Sequence, residues 1–274
     1  MSLLCLASFF IIGGSGSSLS LYGSYLEKSK IDMATIGLLG LSDPVKEGSL
    51  VSTLTELRAW GHRVHLSPFL FQAATPKQRA SIFNDWMTQP FDFIFDVSGG
   101  DLANETIRYL DLEAYRTSHA LFHGYSDLTC ILNVLASYRP CVLFQIKQNQ
   151  NKTDLRNYLS YRSNDLMIGS GLGGNIRCFL KLAGTQYFPN LTGVPLYLES
   201  RSGNAYRIRS FFAQLEDMGV IDQIASLTLG EFTQLEAEND YDVLCTITSS
   251  YPIPVSFHAP FGHGKHSKAV RLEG

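Results

Sequence analysis

From residue 34 onward the chain reads as repeated apolar runs, each followed by a breaker and a stretch of helical spacing. Residues 35–41 form an apolar run that stops at Ser42-Asp43-Pro44. Leu50, Leu54, Leu57 and Trp60 then recur at helical spacing up to Gly61. Residues 62–66 resume as an extended stretch, Thr75-Pro76 opens a helix reaching about Met87, and residues 91–97 form a second apolar run that ends at Gly99-Gly100. Residues 120–123 and 141–146 supply further strands, with an apolar helix over 128–135 between them. Strands that alternate with helices predict a parallel sheet covered on both faces, an α/β fold.

The pattern changes after residue 146. Residues 147–154 are polar throughout and mark the start of a linker, and beyond them come short extended pieces at 166–169, 194–198, 242–247 and 254–258. One helix, 205–218, interrupts them. The organisation expected is an α/β domain over 1–150, a linker over 151–164 and a β-rich domain over 165–274, with no internal repeat.

Composition narrows the function classes. With 45% hydrophobic and 17% charged residues the chain is that of a folded protein, so packing is the default explanation for any apolar residue. A net charge of -3 and the absence of a basic block argue against nucleic acid as a partner. Five scattered cysteines, Cys5, Cys130, Cys141, Cys178 and Cys245, contain no C-x-x-C pair and read as free thiols of a reducing, cytoplasmic compartment. The apolar residues 3–12 precede a Gly/Ser run but follow no Lys or Arg and are too short to span a bilayer. A buried strand and a turn are expected there rather than an export signal. The Gly/Ser run lacks the Lys of a phosphate-binding loop.

Three residues could carry chemistry, each with a plainer alternative. Ser126, in Gly124-Tyr125-Ser126-Asp127, sits between an apolar run and a helix, where a nucleophile would be exposed beside backbone N–H groups; a helix N-cap is the alternative. The usual elbow would place a small residue at 128, and Leu128 stands there. Gly99-Gly100 lies on the same expected rim and could offer N–H groups, or simply turn the chain. His263, between Gly262 and Gly264, suits a general base that exchanges protons near neutral pH; a metal site with His258 and His266 is the rival, though no zinc-type spacing accompanies it. Glu199 ends the apolar run 194–198, either solvated at a sheet edge or held for a purpose.

These pieces occur together and in order with 35–44 (TIGLLGLSDP), 99–105 (GGDLANE), 124–129 (GYSDLT), 173–175 (GGN), 184–187 (GTQY), 196–199 (LYLE), 229–232 (LGEF) and Gly262-His263. In this the chain resembles, from about residue 35 to 272, the serine peptidase family of the LD-carboxypeptidases and the microcin C7 self-immunity hydrolases. The resemblance implies a Rossmann-like (flavodoxin-like) parallel-sheet domain carrying Ser126 and a C-terminal β-rich domain carrying Glu199 and His263. It also implies a Ser126 nucleophile, a His263 base, Glu199 as the acid that orients it, and an oxyanion hole from the N–H groups of Gly100 and Asp127. The Asp127 side chain is then expected to cap the helix after Ser126. A second acid often follows the triad glutamate in the family, and Ser200 stands there.

The function so implied is release of terminal D-alanine from muropeptide tetrapeptides in cytoplasmic cell-wall recycling, by a homodimer with no metal or other cofactor. Alternatives are an immunity-type hydrolase acting on aminoacyl or peptidyl nucleotides and a non-catalytic binding protein. A carboxypeptidase needs a cation for the free carboxylate. Arg201, Lys265 and Lys268 lie near the triad motifs, and Gly99 is a further candidate contact.

Overall fold

The computed structural model describes residues 33–147 and 149–274, so the strand expected at 3–12 lies outside the described residues. Strands β1 (Thr35–Leu39), β2 (Arg63–Leu66), β3 (Phe93–Asp96), β4 (Leu121–Gly124) and β5 (Cys141–Leu143) alternate with helices α1 (Val51–Ala59), α2 (Pro76–Met87), α3 (Ala103–Thr106), α4 (Leu112–Thr117) and α5 (Thr129–Ala136). These five strands are parallel in the order β2-β1-β3-β4-β5, the flavodoxin-like order. A local signal starts α2 where the sequence places it: Thr75 and Gln78 form a reciprocal capping box ahead of Pro76.

The C-terminal half continues the same ten-stranded sheet through β6 (Met167–Asn175), β7 (Pro195–Ser200), β8 (Ser226–Phe232), β9 (Val255–Ser256) and β10 (Ala269–Leu272), in the order β5-β10-β6-β7-β8-β9. The last strand in sequence, β10, is wedged between the halves, antiparallel to β5 and parallel to β6. Helices α6 (Lys152–Leu159), α7 (Ile176–Phe179), α8 (Ala205–Asp217), α9 (Thr233–Glu238) and α10 (Asp242–Thr248) complete the described α-helices. One apolar core spans both halves through α2, α5, α8 and the C-terminal strands, while the opposite face of β1, β3 and β5 packs on α1 and α6.

Two stretches differ from the sequence reading. Residues 242–247, expected to be extended, are helix α10: Leu244 and Thr248 are buried four residues apart, a helical spacing that a short apolar run conceals. The polar stretch from 147 leads into α6 within the expected linker, and Leu155, Tyr158 and Leu159 of α6 are buried at i, i+3 and i+4. Its polar residues are used: the Asn149 side chain donates to the Ser267 carbonyl at 2.8 Å and that of Asn151 to the His266 carbonyl at 2.6 Å.

The bend of β6 positions the site. Its first half pairs with β10 and its second half with β7. Between them it turns along α5: Gly173 exchanges two 2.8 Å hydrogen bonds with the Asn133 side chain, and the Asn175 N–H donates to Thr129 Oγ1 at 2.9 Å. Thr129 opens α5 and Asn133 lies one turn further on, so β6 climbs back toward the Ser126 end of that helix. Gly173 and Gly174 make the bend with φ of 111° and 128°, and a side chain at 174 would press on Thr129. The end of β7, in register with Asn175, thereby arrives beside the end of β4.

Candidate active site

Ser126 follows β4 in a turn held out of the usual backbone basins. Tyr125 is fully extended, Ser126 has φ of 57°, and a short 3₁₀ turn, Ser126–Leu128, feeds α5. A left-handed conformation at a residue with a side chain costs roughly 1–2 kcal/mol and persists only where the surroundings impose it. The surroundings are visible: Leu128 is fully buried, and a Cβ at Gly124 would lie 3.1 Å from the Leu128 Cβ. The large residue at 128, the departure from the usual elbow, is accommodated because position 124 carries no side chain.

The strap after β3 faces the serine. A Cβ at Gly99 would come to 3.9 Å from Ser126 Oγ, and Gly100, with φ of 122°, lies against the Asp43 carboxylate. Asp96, fully buried, pins the base of the strap by accepting from the N–H groups of Leu41 at 2.7 Å and Ser98 at 2.8 Å and from Ser98 Oγ at 2.6 Å. Burial pushes its carboxyl up to about 7 against those hydrogen bonds.

Glu199 lies inside the sheet, 2% exposed, on a strand flanked by β6 and β8. The solvated-edge reading therefore does not describe it. The β7–β8 register slips between Leu198 and Ser200, an irregularity of the kind that re-aims a side chain. Glu199 Oε2 meets His263 Nδ1 at 2.7 Å. With the carboxylate on Nδ1, that nitrogen carries the proton, leaving the lone pair on Nε2, which is buried and has no protein partner among the described residues. The His263 ring packs on Tyr125, centroids 5.7 Å apart, and Ser126, Tyr125, Glu199 and Gly262 line one small pocket together with Gln145 and Phe261.

Ser126, His263, Glu199 and Gly99-Gly100 are thus brought to one place. Asp127 behaves otherwise than expected. No side chain caps the turn or the helix after Ser126; instead Asp127, fully buried, accepts from the Ala103 N–H of α3 at 2.8 Å, from Ser42 Oγ at 2.7 Å and from Lys181 Nζ at 2.5 Å. The reason is orientation: the carboxylate points across to the neighbouring strap, where donors already converge. Among the described residues no group of three or more His, Cys, Asp or Glu could hold a metal ion. His258 stacks on Tyr241 with centroids 4.0 Å apart.

Sequence reasoning missed Glu231, although it stands in the stretch 229–232 of the resemblance. Its carboxylate accepts the Gly264 N–H, and side chains at Gly262 or Gly264 would run into it. Burial raises the Glu231 carboxyl above its ordinary value, the Gly264 N–H opposes this, and the charges of Glu236 and Glu199 add to it. Among the cations, Lys268 is engaged with Asp154 at 3.2 Å and the Asp165 carbonyl at 2.7 Å, and Lys265 is exposed. Arg201 is close enough to offset part of the upward push that burial and Asp96 give the Tyr125 phenol, which stands at about 12. Lys147, also overlooked, reaches from the end of β5 to donate to the Val97 carbonyl at 3.1 Å, on the strand end that leads to Gly99.

Comparison with known proteins identifies the family and the fold. Residues 36–145 match the model of the LD-carboxypeptidase N-terminal domain, and residues 168–274 that of the LD-carboxypeptidase C-terminal domain. The microcin C7 self-immunity protein MccF of Escherichia coli is 23% identical over an alignment covering 68% of this chain and 70% of that one. Among solved structures, muramoyltetrapeptide carboxypeptidase from Oxalobacter formigenes superposes with a TM-score of 0.73 at 22% identity, covering 88% of this chain and 93% of that one. MccF in complex with glutamyl sulfamoyl guanosine superposes with a TM-score of 0.73 at 18% identity, covering 88% and 91%.

Proposed function

The chain belongs to the LD-carboxypeptidase family, and from that premise we propose that it is a serine-type carboxypeptidase that releases terminal D-alanine from muropeptide tetrapeptides. The observation that carries the reading is the Glu199–His263 pair at 2.7 Å, which leaves a buried lone pair on Nε2 at a site lined by the strained Ser126. Ser126 Oγ attacks the scissile carbonyl and His263 Nε2 takes its proton. The acyl-enzyme forms as the same proton passes to the departing amine, and water then repeats the sequence in reverse roles. Glu199 holds the ring and stabilises its protonated form. Gly100 and Asp127 offer N–H groups to the oxyanion.

Arg201, with Lys147 behind it, supplies the positive field for the substrate carboxylate; Lys268 spends its charge on Asp154 and the Asp165 carbonyl. A second reading, hydrolysis of aminoacyl nucleotides, is supported by the similarity to MccF, whose structure holds glutamyl sulfamoyl guanosine. Purified protein assayed in parallel on a muropeptide tetrapeptide and on aspartyl sulfamoyl adenosine separates the two. Alanine release from the first with the second left intact is the result expected. Turnover of the nucleotide alone would replace the carboxypeptidase reading with the immunity type.

A further inference from the structure

The walls of the proposed oxyanion hole carry three acids. Asp43 lies against Gly100 and accepts the Asp101 N–H at 3.2 Å; Asp101 follows Gly100 directly; and Asp127 follows Ser126, with its side chain fully buried. A negative charge developing on a substrate oxygen between Gly100 and Asp127 would be opposed by all three unless they were offset. The cations that offset two of them, Asp101 and Asp127, come from the other half of the molecule.

Arg177 in α7 and Lys181 in the 3₁₀ turn that follows it, Leu180–Leu182, are four residues apart, one turn of helix. Arg177 donates to the Asp101 carboxylate and, through Nη2, to the Gly100 carbonyl at 3.0 Å. Lys181 Nζ donates to the Asp127 carboxylate at 2.5 Å and to the Asp101 carbonyl at 2.9 Å. Each cation thus bonds both a carboxylate and a backbone carbonyl of the strap, and Lys181 joins the strap to the residue after the nucleophile. The Arg177 pair holds the Asp101 carboxyl below its ordinary value.

We propose that Arg177 and Lys181 are positioning residues that fix the two donor walls of the oxyanion hole and offset the charges of Asp101 and Asp127 beside it. This rests on the reading of Ser126 as nucleophile. The peptide bond carrying the Gly100 carbonyl also carries the Asp101 N–H, so a hold on either side of it fixes the tilt of the strap. The Asp127 pair does the same for the turn at Ser126. Because both cations lie on the segment that follows β6, the hole is complete only when the C-terminal half is docked.

A fluorophosphonate tests this without knowledge of the natural substrate: Ser126 Oγ bonds to phosphorus, fluoride leaves, and the hydroxyl proton passes to His263. The labelling rate is read by intact mass on full-length protein, with melting temperature measured beside it. Ser126→Ala reports on the premise separately, since labelling there or on another residue of the parent overturns the nucleophile and not the clamp. Lys181→Met should slow labelling about tenfold or more, the effect of degrading one oxyanion donor, with the pH midpoint unmoved, and Lys181→Arg should restore most of it. Arg177→Met removes a half-exposed partner and serves where Lys181→Met does not fold; it should slow labelling severalfold. A folded Lys181→Met or Arg177→Met protein that labels within about twofold of the parent overturns the proposal.

Discussion

The turn that carries Ser126 and the loop that carries His263 face each other but are held by different means. The turn is fixed from below mainly by packing and backbone: a left-handed φ at Ser126, Leu128 seated against the bare Gly124, and α5 running directly on from it, with the ion pair Asp127–Lys181 beside it. The loop is anchored at one end by the fully buried Phe261, and the His263 ring packs on Tyr125. Two glycines flank the histidine, and two carboxylates from adjacent strands grip the segment, Glu199 on the ring and Glu231 on the Gly264 N–H. The difference teaches where each half is vulnerable. The turn is sensitive to the ion pair beside it, Asp127 with Lys181, whereas the loop depends on two carboxylates, one of which burial raises, and so responds to pH.

The largest consequence falls on Glu199. Glu199→Gln preserves shape but removes the charge that supports protonated His263, so turnover should drop by roughly 10⁴, as it does for the equivalent change in the best-studied serine protease. Stability should change little. Steady-state rates together with a melting curve check this, and a normal rate with normal melting would remove Glu199 from the site.

Glu231 should behave differently from its neighbour. Its carboxyl is raised by burial, so the ionised form is disfavoured in the folded protein. The stability attached to a raised acid is present below its unfolded value and is lost as pH rises through the folded one. Glu231→Gln keeps an acceptor for the Gly264 N–H and removes that loss. The variant should therefore melt at or above the parent temperature at pH 8, with the advantage shrinking toward pH 4.5, while the rate falls only severalfold. A variant that melts lower at pH 8 would contradict the account of the loop.

The smallest effect concerns a second buried histidine and provides the contrast for His263. His123 Nε2 meets the Tyr158 hydroxyl at 2.8 Å and its Nδ1 lies 3.0 Å from the Leu121 carbonyl, and burial holds its pKa down at about 3. A depressed histidine contributes stability that is present above its unfolded value and lost as pH falls toward the folded one. Asp96, raised to about 7, acts with the opposite sign in the same window, so the parent curve alone is uninformative. The difference between parent and His123→Gln isolates the histidine. It should shrink as pH falls from about 6 to 4, measured by denaturant unfolding, and a difference independent of pH would refute it.

The alternation of strands and helices up to residue 146 was legible because each strand is a short apolar run bounded by turn residues, and a parallel sheet follows from it; the strand order does not. The C-terminal half was harder to read. Its α10 buries only a few residues, so 242–247 resembles a strand, and the bend of β6 is written only as glycines, whose effect depends on the helix they wrap. Ser126, His263 and Glu199 could be singled out because flanking glycines and apolar runs mark their turns and the order of motifs along the chain ties them together. Arg177 and Lys181 escaped because they reach between halves that are far apart in sequence, and Glu231 and Lys147 because their partners, Gly264 and Val97, lie 33 and 50 residues away within the same half. Asp127 shows the limit most clearly: its place before a helix suggested a cap, while its carboxylate serves the strap across the cleft.

The central claim, a Ser126 nucleophile activated by the His263–Glu199 pair, is tested most directly by locating the covalent adduct after fluorophosphonate treatment. Intact mass and peptide mapping should show one adduct per chain, on Ser126, absent in Ser126→Ala and slowed by orders of magnitude in Glu199→Gln. An adduct on any other residue, or an active protein left unmodified, would contradict it.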